Sequence, residues 1–288
     1  MAKLNQKLLV LVALVLCAFA AFGLARQQPR NSRMILTETP PLADAKIAYG
    51  LDPNQFGELR LPKGDKFKKP YPVAVILHGG CWLAEYDLGY MGHISADLAA
   101  QGIATWNLEY RRVGNVGGGW PGTFEDVARG VDYLRVLAKT QPLDLRRVLA
   151  IGHSAGGHLA LLVGARRDAA VSLRGVVALA GITNLRQMGT ACDANVPMLM
   201  QGQTAQYDEA SPLARLPLGV KQLIVQGEAD KIIPVAMATS YVTAAQKKGD
   251  DARLMLLEKA GHFELIDPQA PAWATVRQAV LAMLQAER

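Results

Sequence analysis

The chain has 288 residues, of which 50% are hydrophobic and 19% are charged. This composition excludes an intrinsically disordered or coiled-coil protein, and the length allows one large hydrophobic core. The formal net charge is +6. The only lysine cluster, however, lies in a loop bounded by proline and glycine, which is typical of a solvated turn: Lys63, Lys66, Lys68 and Lys69. We therefore expect no nucleic-acid partner.

The first 25 residues have the order of features of an export signal. Lys3 and Lys7 precede an apolar run at 8–22, and small residues follow. We predict that residues 1–25 are a cleaved signal peptide and that the protein is exported, either periplasmic or secreted. The alternative is a membrane anchor that stays uncleaved, with the catalytic domain outside the cytoplasm, because the uncharged stretch is close to the shortest bilayer span. Residues 26–44 are polar and are predicted to be a tether.

From residue 45 on, short apolar segments typical of strands alternate with longer segments typical of helices. Strands are predicted at 45–49, 56–61, 73–77, 103–108, 147–151, 175–180, 222–226 and 253–257, and helices at 91–101, 123–139, 155–165, 235–248 and 272–286. This alternation favours a mostly parallel sheet with helices on both faces. The sequence therefore predicts a single α/β domain over 45–288, with the less regular stretch 183–217 as the cover of a pocket.

A G-x-S-x-G pattern at 152–156 directly follows the predicted strand 147–151 and opens a predicted helix. Such a sharp strand-to-helix turn lifts the serine hydroxyl above the sheet, and the two glycines remove side chains that would collide there. The five residues alone also fit an ordinary glycine-rich joint. In this context, we predict that Ser154 is a nucleophile.

A serine nucleophile needs a base, and the base needs an acid that fixes its tautomer and stabilises its cation. In an open α/β sheet, such groups lie just past the carboxyl ends of strands. Asp230 and His262 each follow a predicted strand, and the order Ser, Asp, His is the one expected for this architecture. We therefore predict His262 as the base and Asp230 as the acid, with Glu228 as the alternative acid.

The other histidines fit the role of base less well. His153 and His158 flank the serine too closely to reach back to its hydroxyl, so we expect them to be packed or locally hydrogen-bonded. His78 opens the loop after the strand 73–77 and is expected to be structural. His93 is expected on a helix surface.

A glycine loop, His78-Gly79-Gly80-Cys81-Trp82, comes directly after the strand 73–77. In acyl transfer, backbone N–H groups stabilise the negative charge that develops on the carbonyl oxygen, each by about 3 to 4 kcal/mol. A glycine loop lets the main chain approach that oxygen closely. We predict an oxyanion hole formed by the amides of Gly80, Cys81 and Ala155, although the loop alone also fits an ordinary turn.

Together, the HGG-x-W loop, the GHSAGG turn, the late Asp and the late GHF motif resemble the α/β-hydrolase superfamily over roughly residues 45–286. Within it, the chain is similar to the esterase branch that includes hormone-sensitive-lipase-like carboxylesterases and kynurenine formamidases. The resemblance implies the α/β-hydrolase fold, the triad of Ser154, Asp230 and His262, and the oxyanion positions named above. The chain departs from the common HGGG loop at Cys81, where a side chain limits the freedom of the backbone.

Two cysteines, Cys81 and Cys192, remain once the first 25 residues are removed. In an oxidising compartment they can form one disulfide, which would fix the glycine loop. Two separate small apolar side chains are the alternative.

Three aromatic residues near the predicted site are candidates for the wall of an apolar acyl or aryl pocket: Trp82, Tyr110 and Trp120. Packing of the loops against the scaffold is the alternative for each. For Glu109 and Arg111 we expect a structural ion pair rather than a role in substrate binding. The sequence contains no paired metal-ligand spacing and no phosphate- or dinucleotide-binding motif, so we expect no metal and no cofactor.

These features predict a serine hydrolase that cleaves small carboxylic esters through an acyl-serine intermediate. The alternative is an arylformamidase or amidase of the same fold, so the expected partner is a small-molecule ester or formyl amide. A distant alternative is a non-catalytic binding protein of the hydrolase fold, which the full set of triad residue types disfavours.

Overall fold

The computed structural model describes residues 31–187 and 189–285 of the protein. In this part of the chain, eight strands form one sheet. They are β1 (Ala45–Ala48), β2 (Phe56–Arg60), β3 (Tyr71–Leu77), β4 (Ala104–Leu108), β5 (Leu143–His153), β6 (Gly175–Leu179), β7 (Lys221–Gly227) and β8 (Ala252–Leu257). Their spatial order is β1-β2-β4-β3-β5-β6-β7-β8.

The sheet is mostly parallel. Only the pairs β1 with β2 and β2 with β4 run antiparallel, and each of the other neighbouring pairs is parallel. Residues 73–77 of β3 and 148–151 of β5 are completely buried. A continuous apolar run is what a parallel strand needs when helices cover both faces of the sheet. The α/β prediction is confirmed.

Seven α-helices connect or flank the strands in the described residues. They are α1 (Gly92–Ala100), α2 (Gly122–Asp132), α3 (Leu134–Leu137), α4 (Ala155–Gly164), α5 (Val196–Leu199), α6 (Val235–Lys247) and α7 (Pro271–Gln285). The prediction of one continuous helix over 123–139 is wrong, because Tyr133 divides this segment into α2 and α3. The amide of Val136 bonds the carbonyl of Tyr133 three residues back, which tightens the chain at this turn.

The N-terminal part differs from the prediction of a tether. Ser32–Leu36 forms a 3-10 helix, in which Ser32 is 2% exposed and Ile35 is 1% exposed. The tether prediction is therefore wrong for this segment, because its apolar side chain has a place in the core. The predicted signal peptide or anchor, residues 1–25, lies outside the described residues. Among the residues that are described, no helix is both long enough and apolar enough to cross a membrane.

The parallel strands bring four loops to one edge of the sheet. The loops after β3, β5, β7 and β8 all leave from carboxyl ends, which lie side by side because β3, β5, β6, β7 and β8 are successive neighbours. These are the loops that carry the predicted site residues. From Ser32 onward the chain forms one compact unit.

Candidate active site

Ser154 occupies a strained turn between β5 and α4. Its φ is +56° and its ψ is −119°, a conformation that residues other than glycine rarely adopt. A Cβ added at Gly152 would lie 2.0 Å from the carbonyl oxygen of Gly156, and one added at Gly156 would lie 2.1 Å from that of Leu77. Both glycines are therefore needed for the close packing of this turn, as the sequence pattern predicted.

His262 and Asp230 form a buried pair. Nδ1 of His262 lies 2.8 Å from Oδ2 of Asp230. Oδ1 of Asp230 accepts hydrogen bonds from the amides of Ile232 and Ile233 at 2.7 and 3.0 Å, and Oδ2 also accepts one from Nε2 of Gln226 at 3.0 Å. Burial alone would raise the pKa of Asp230, but His262 and the two amides together hold it below its usual range. The carboxylate is therefore ionised, and it fixes the proton of His262 on Nδ1.

Ser154 and His262 line one cavity of about 420 Å³. Gly80 and Cys81 of the glycine loop line the same cavity. The structure therefore brings the predicted nucleophile, base, acid and two of the oxyanion residues to one place. Glu228, the alternative acid, is exposed.

The glycine loop has an unusual backbone. Gly80, Cys81 and Trp82 have φ values of +90°, +50° and +61° in succession. A Cβ at Gly79 would lie 2.6 Å from the carbonyl oxygen of His153 and 3.0 Å from the Cβ of Ser154, so the loop passes directly against Ser154. The positive φ values turn the loop sharply at the edge of the cavity.

The amides predicted to form the oxyanion hole keep their N–H groups available. Across 31–187 and 189–285, the amides of Gly80 and Cys81 donate to no backbone carbonyl. Ala155 is the first residue of α4, where backbone N–H groups have no partner within the helix. Cys81 is joined to Cys192 by a disulfide, so the alternative of two separate thiols is wrong.

A buried network holds the glycine loop from behind. Nε2 of His78 lies 3.0 Å from Oε1 of Glu109, and the hydroxyl of Tyr110 donates to the carbonyl of His78 at 2.6 Å. Burial would raise the pKa of Glu109, but His78 and Arg112 hold it below its usual range. His78 is thus structural, as predicted. Glu109 pairs with His78 and Arg112.

Arg111 pairs with Asp126 on α2 rather than with Glu109. Its guanidinium donates two hydrogen bonds to the carboxylate, at 2.7 and 2.6 Å. The prediction of a structural role for Glu109 and Arg111 is confirmed, but the predicted pairing between them is wrong.

The predicted aromatic wall is not found at the cavity. Trp82 and Tyr110 are both completely buried. Trp82 packs edge-on against His158 with ring centroids 5.3 Å apart, and Tyr110 stacks on His78 at 4.3 Å. Trp120 lines a separate small cavity together with Phe124. All three therefore pack loops against the scaffold, which was the alternative stated for them.

Two residues at the site were not predicted to act there. Tyr90 lines the cavity, and its hydroxyl accepts a hydrogen bond from the amide of Gly79. His153 lines it too, and its Nε2 donates to the carbonyl of His262 at 3.1 Å. Burial, with the neighbouring His262, lowers the pKa of His153 well below its usual value, so this ring is neutral. The position of His153 beside the serine was a usable signal, whereas nothing near Tyr90 marks it.

His158 and His93 have no part in the cavity wall. Nε2 of His158 bonds the carbonyl of Ala210 at 2.7 Å, and His93 is half-buried on α1. No group of three or more His, Cys, Asp and Glu residues within the described ranges could hold a metal ion.

One known protein family matches the central part of this chain. The BD-FAE family model matches residues 58–244, which is more than half of the chain. The chain belongs to the BD-FAE family. The residues of this BD-FAE family member that match the family, 58–244, include Ser154 and Asp230 and end before His262.

Sequence relatives of this BD-FAE family member include an esterase and a formamidase. The chain is 26% identical over 264 residues to esterase LipC of Mycobacterium tuberculosis, a match that covers 80% of this chain and 64% of LipC. It is 22% identical over 219 residues to kynurenine formamidase of Drosophila melanogaster, with 72% and 71% covered. The chain thus spans less than two thirds of the length of LipC. These relatives support the predicted resemblance to the esterase branch.

Solved structures show the same fold. Esterase B from Lactobacillus Rhamnosis superposes with a TM-score of 0.75 at 18% identity, over 98% of this chain and 96% of that chain. A truncated carbohydrate esterase from gut microbiota has a TM-score of 0.72 at 18% identity, over 86% of this chain and 100% of that chain. The α/β-hydrolase fold of this BD-FAE family member is therefore confirmed.

Proposed function

We propose that the protein is a serine hydrolase that cleaves small carboxylic esters through an acyl intermediate on Ser154. The observation that carries this proposal is the shared cavity. Ser154, on a strained turn, lines it together with His262, and the ionised Asp230 holds the ring of His262. The esterase relatives support the same reaction class.

Acylation begins with attack of Oγ of Ser154 on the ester carbonyl carbon, while Nε2 of His262 accepts the hydroxyl proton. The hydrogen bond from Nδ1 to Asp230 leaves Nε2 as the basic nitrogen and stabilises the imidazolium that forms. The bond between the carbonyl carbon and the leaving oxygen then breaks. His262 gives its proton to that oxygen, and an alcohol departs.

Deacylation repeats these steps with water. Nε2 of His262 accepts a proton from the water that attacks the acyl carbon, and then returns a proton to Oγ of Ser154 as the carboxylic acid leaves. In both halves, negative charge develops on the carbonyl oxygen. The amides of Gly80, Cys81 and Ala155 are the donors we assign to it, because the first two line the cavity and the third begins α4.

The size of the cavity favours small substrates. Its volume of about 420 Å³ lies near the lower end of the range for small-molecule sites, roughly 300–1,000 Å³. A short acyl group with a compact alcohol fits that volume.

The test is hydrolysis of p-nitrophenyl acetate by the purified full chain and its Ser154→Ala variant. We expect turnover by the parent and a loss of about 10⁶-fold in kcat in the variant, since the nucleophile is gone. Ser172→Ala, which changes an exposed serine, is the matched control and should keep full activity. Equal rates in the parent and Ser154→Ala would overturn the proposal.

A formamidase activity is the second candidate, because kynurenine formamidase of Drosophila melanogaster is among the relatives. Formyl is the smallest acyl group, and the same nucleophile and base would transfer it from an aryl amine. Comparison of kcat/KM for an N-formyl anilide with that for phenyl acetate decides between the two. A higher value for the anilide identifies a formamidase, and the reverse identifies an esterase.

We also propose that the protein works outside the cytoplasm, as the N-terminal sequence predicts. The disulfide between Cys81 and Cys192 supports this, since such bonds persist in oxidising compartments. Fractionation of cells that express the full chain, with activity assayed in each fraction, tests it. Activity confined to the cytoplasmic fraction would contradict the proposal.

A further inference from the structure

The 3-10 helix Ser32–Leu36 forms part of the wall of the active-site cavity. A 3-10 helix repeats every three residues, so residues three apart lie on one face. Ser32 and Ile35, on one face, are buried in the protein. Arg33 and Leu36, on the next, line the cavity of Ser154. Met34, on the third, is 50% exposed. One face of this short helix thus packs on the core, the second lines the cavity and the third is exposed to solvent.

The helix is held to the scaffold of the site. It contacts two 3-10 turns, Phe263–Leu265 and Leu88–Met91. The first directly follows His262, and the second carries Tyr90. The chain beyond the helix is also tied down, because Nη2 of Arg60 donates to the carbonyl of Pro41 at 2.8 Å. The position of the helix is therefore fixed relative to the base.

Leu36 contributes apolar surface to the cavity. It is partly buried and packs against the core, as do Ile232 and Phe263, which line the same cavity. An apolar group of a bound ester would meet these side chains. The side chain of Leu36 thus forms part of the apolar wall that such a group would contact.

We propose that Leu36 determines which esters the enzyme accepts, by limiting the length of the apolar chain on the ester. This inference rests on the proposed function and adds to it the residue that sets substrate size. In a hydrophobic pocket, one methylene more or less changes kcat/KM by about tenfold or more. Loss of the isobutyl group of Leu36 makes room for such additional methylenes.

The test compares two ester series with the full chain, Leu36→Ala and Leu36→Phe. One series is p-nitrophenyl acetate, butyrate, hexanoate and octanoate, which varies the acyl side. The other is methyl to octyl acetate, which varies the alcohol side. Met34→Ala is the matched control, since it truncates the solvent face of the same helix. Thermal unfolding of each variant checks its fold.

For Leu36→Ala we expect the ratio of kcat/KM for the longest ester to that for the shortest to rise at least about tenfold in one of the two series. Leu36→Phe should lower that ratio, and Met34→Ala should leave it within about twofold. Because Leu36→Phe fills the cavity rather than emptying it, the test stands even if Leu36→Ala does not fold. Unchanged ratios in both series for a folded Leu36 variant would overturn the inference.

Failure of this inference is distinct from failure of the proposed function. If the parent hydrolyses esters and Ser154→Ala does not, the proposed function stands whatever the chain-length ratios are. If the parent cleaves no ester, the proposed function itself fails, and with it the role assigned to Leu36.

Discussion

Cys81 and Cys192 are joined by a disulfide whose Cα atoms lie 5.2 Å apart and whose residues are separated by 111 positions in the sequence. The bond ties the glycine loop to the irregular stretch 183–217. Cys81 has a φ of +50°, and a left-handed residue other than glycine costs roughly 1–2 kcal/mol. The disulfide therefore helps to hold the loop in a conformation that a cysteine would not adopt by itself.

Loss of this disulfide should reduce both stability and activity. For Cys192→Ala we expect the free energy of unfolding to fall by about 4 kcal/mol, because the crosslink closes a long loop of the unfolded chain. Urea unfolding measures this change. We also expect kcat for p-nitrophenyl acetate to fall while KM changes little, since the loop carries Gly80 and Cys81, two of the residues whose amides we propose for the oxyanion hole.

A thiol reductant provides the control for this prediction. Dithiothreitol should lower the activity of the parent toward that of Cys192→Ala and should leave the variant itself unaffected. If the parent keeps its full kcat after complete reduction, the loop does not depend on the crosslink.

The sequence predicted the fold, and it pointed to the residues of the proposed triad, because both depend on local signals. Ser154, Asp230 and His262 each follow an apolar strand. Parallel pairing places the carboxyl ends of those strands at one edge of the sheet, so the three residues can be grouped without information about long-range contacts. The need for Gly152 is local in the same sense, because a Cβ there would collide with the carbonyl of Gly156, whereas Gly156 is needed because of Leu77 on the neighbouring strand β3.

The wall of the cavity could not be predicted in this way. Whether an aromatic residue faces a pocket or the core depends on distant partners: the hydroxyl of Tyr110 reaches the carbonyl of His78, 32 residues away. The helix Ser32–Leu36 is too short for its period of three to stand out from a polar segment. The amide of Gly79 finds its acceptor on Tyr90, and sequence spacing gives no indication of that bond.

Asp230→Asn should almost abolish activity without unfolding the protein. The NH₂ group of the asparagine can donate a hydrogen bond to Nδ1 of His262. The ring then carries its proton on Nε2, and a protonated Nε2 cannot act as a base. We expect kcat to fall by about 10⁴-fold. Steady-state kinetics with p-nitrophenyl acetate measure the loss.

Glu228→Gln is the matched control, since Glu228 is the neighbouring carboxylate and is exposed. It should keep kcat within about twofold of the parent. A larger loss in Glu228→Gln than in Asp230→Asn would mean that the proposed acid has been assigned to the wrong carboxylate.

Tyr90→Phe should impair the glycine loop. The hydroxyl of Tyr90 accepts the hydrogen bond of the Gly79 amide in a buried position, so its removal leaves that amide without an acceptor at a cost of about 1–3 kcal/mol. We expect a lower midpoint of urea unfolding, and a kcat reduced by about tenfold because the adjacent amides proposed for the oxyanion hole would shift. Tyr86→Phe changes a tyrosine that lines the same cavity and should have neither effect. Identical behaviour of the two variants would show that the hydroxyl of Tyr90 does not support the loop.

Buried histidine should make the protein less stable in mild acid. Burial lowers the pKa of His158 from 6.5 to about 4, and its Nε2 bonds the carbonyl of Ala210. Because the folded-state pKa lies below the unfolded one, this contribution to stability is fully present above pH 6.5 and is lost as the pH falls toward 4. The complete loss corresponds to about 3 kcal/mol.

Urea unfolding of the parent and of His158→Gln at pH 7 and pH 4.5 measures that contribution. Glutamine does not titrate, and its amide can still donate to the carbonyl of Ala210. Other groups, including the neutral His153, titrate alike in both proteins, so they cancel from the comparison. We expect the variant to lose about 2 kcal/mol less than the parent between the two pH values. An equal loss in both would mean that the pKa of His158 is the same in the folded and unfolded chains.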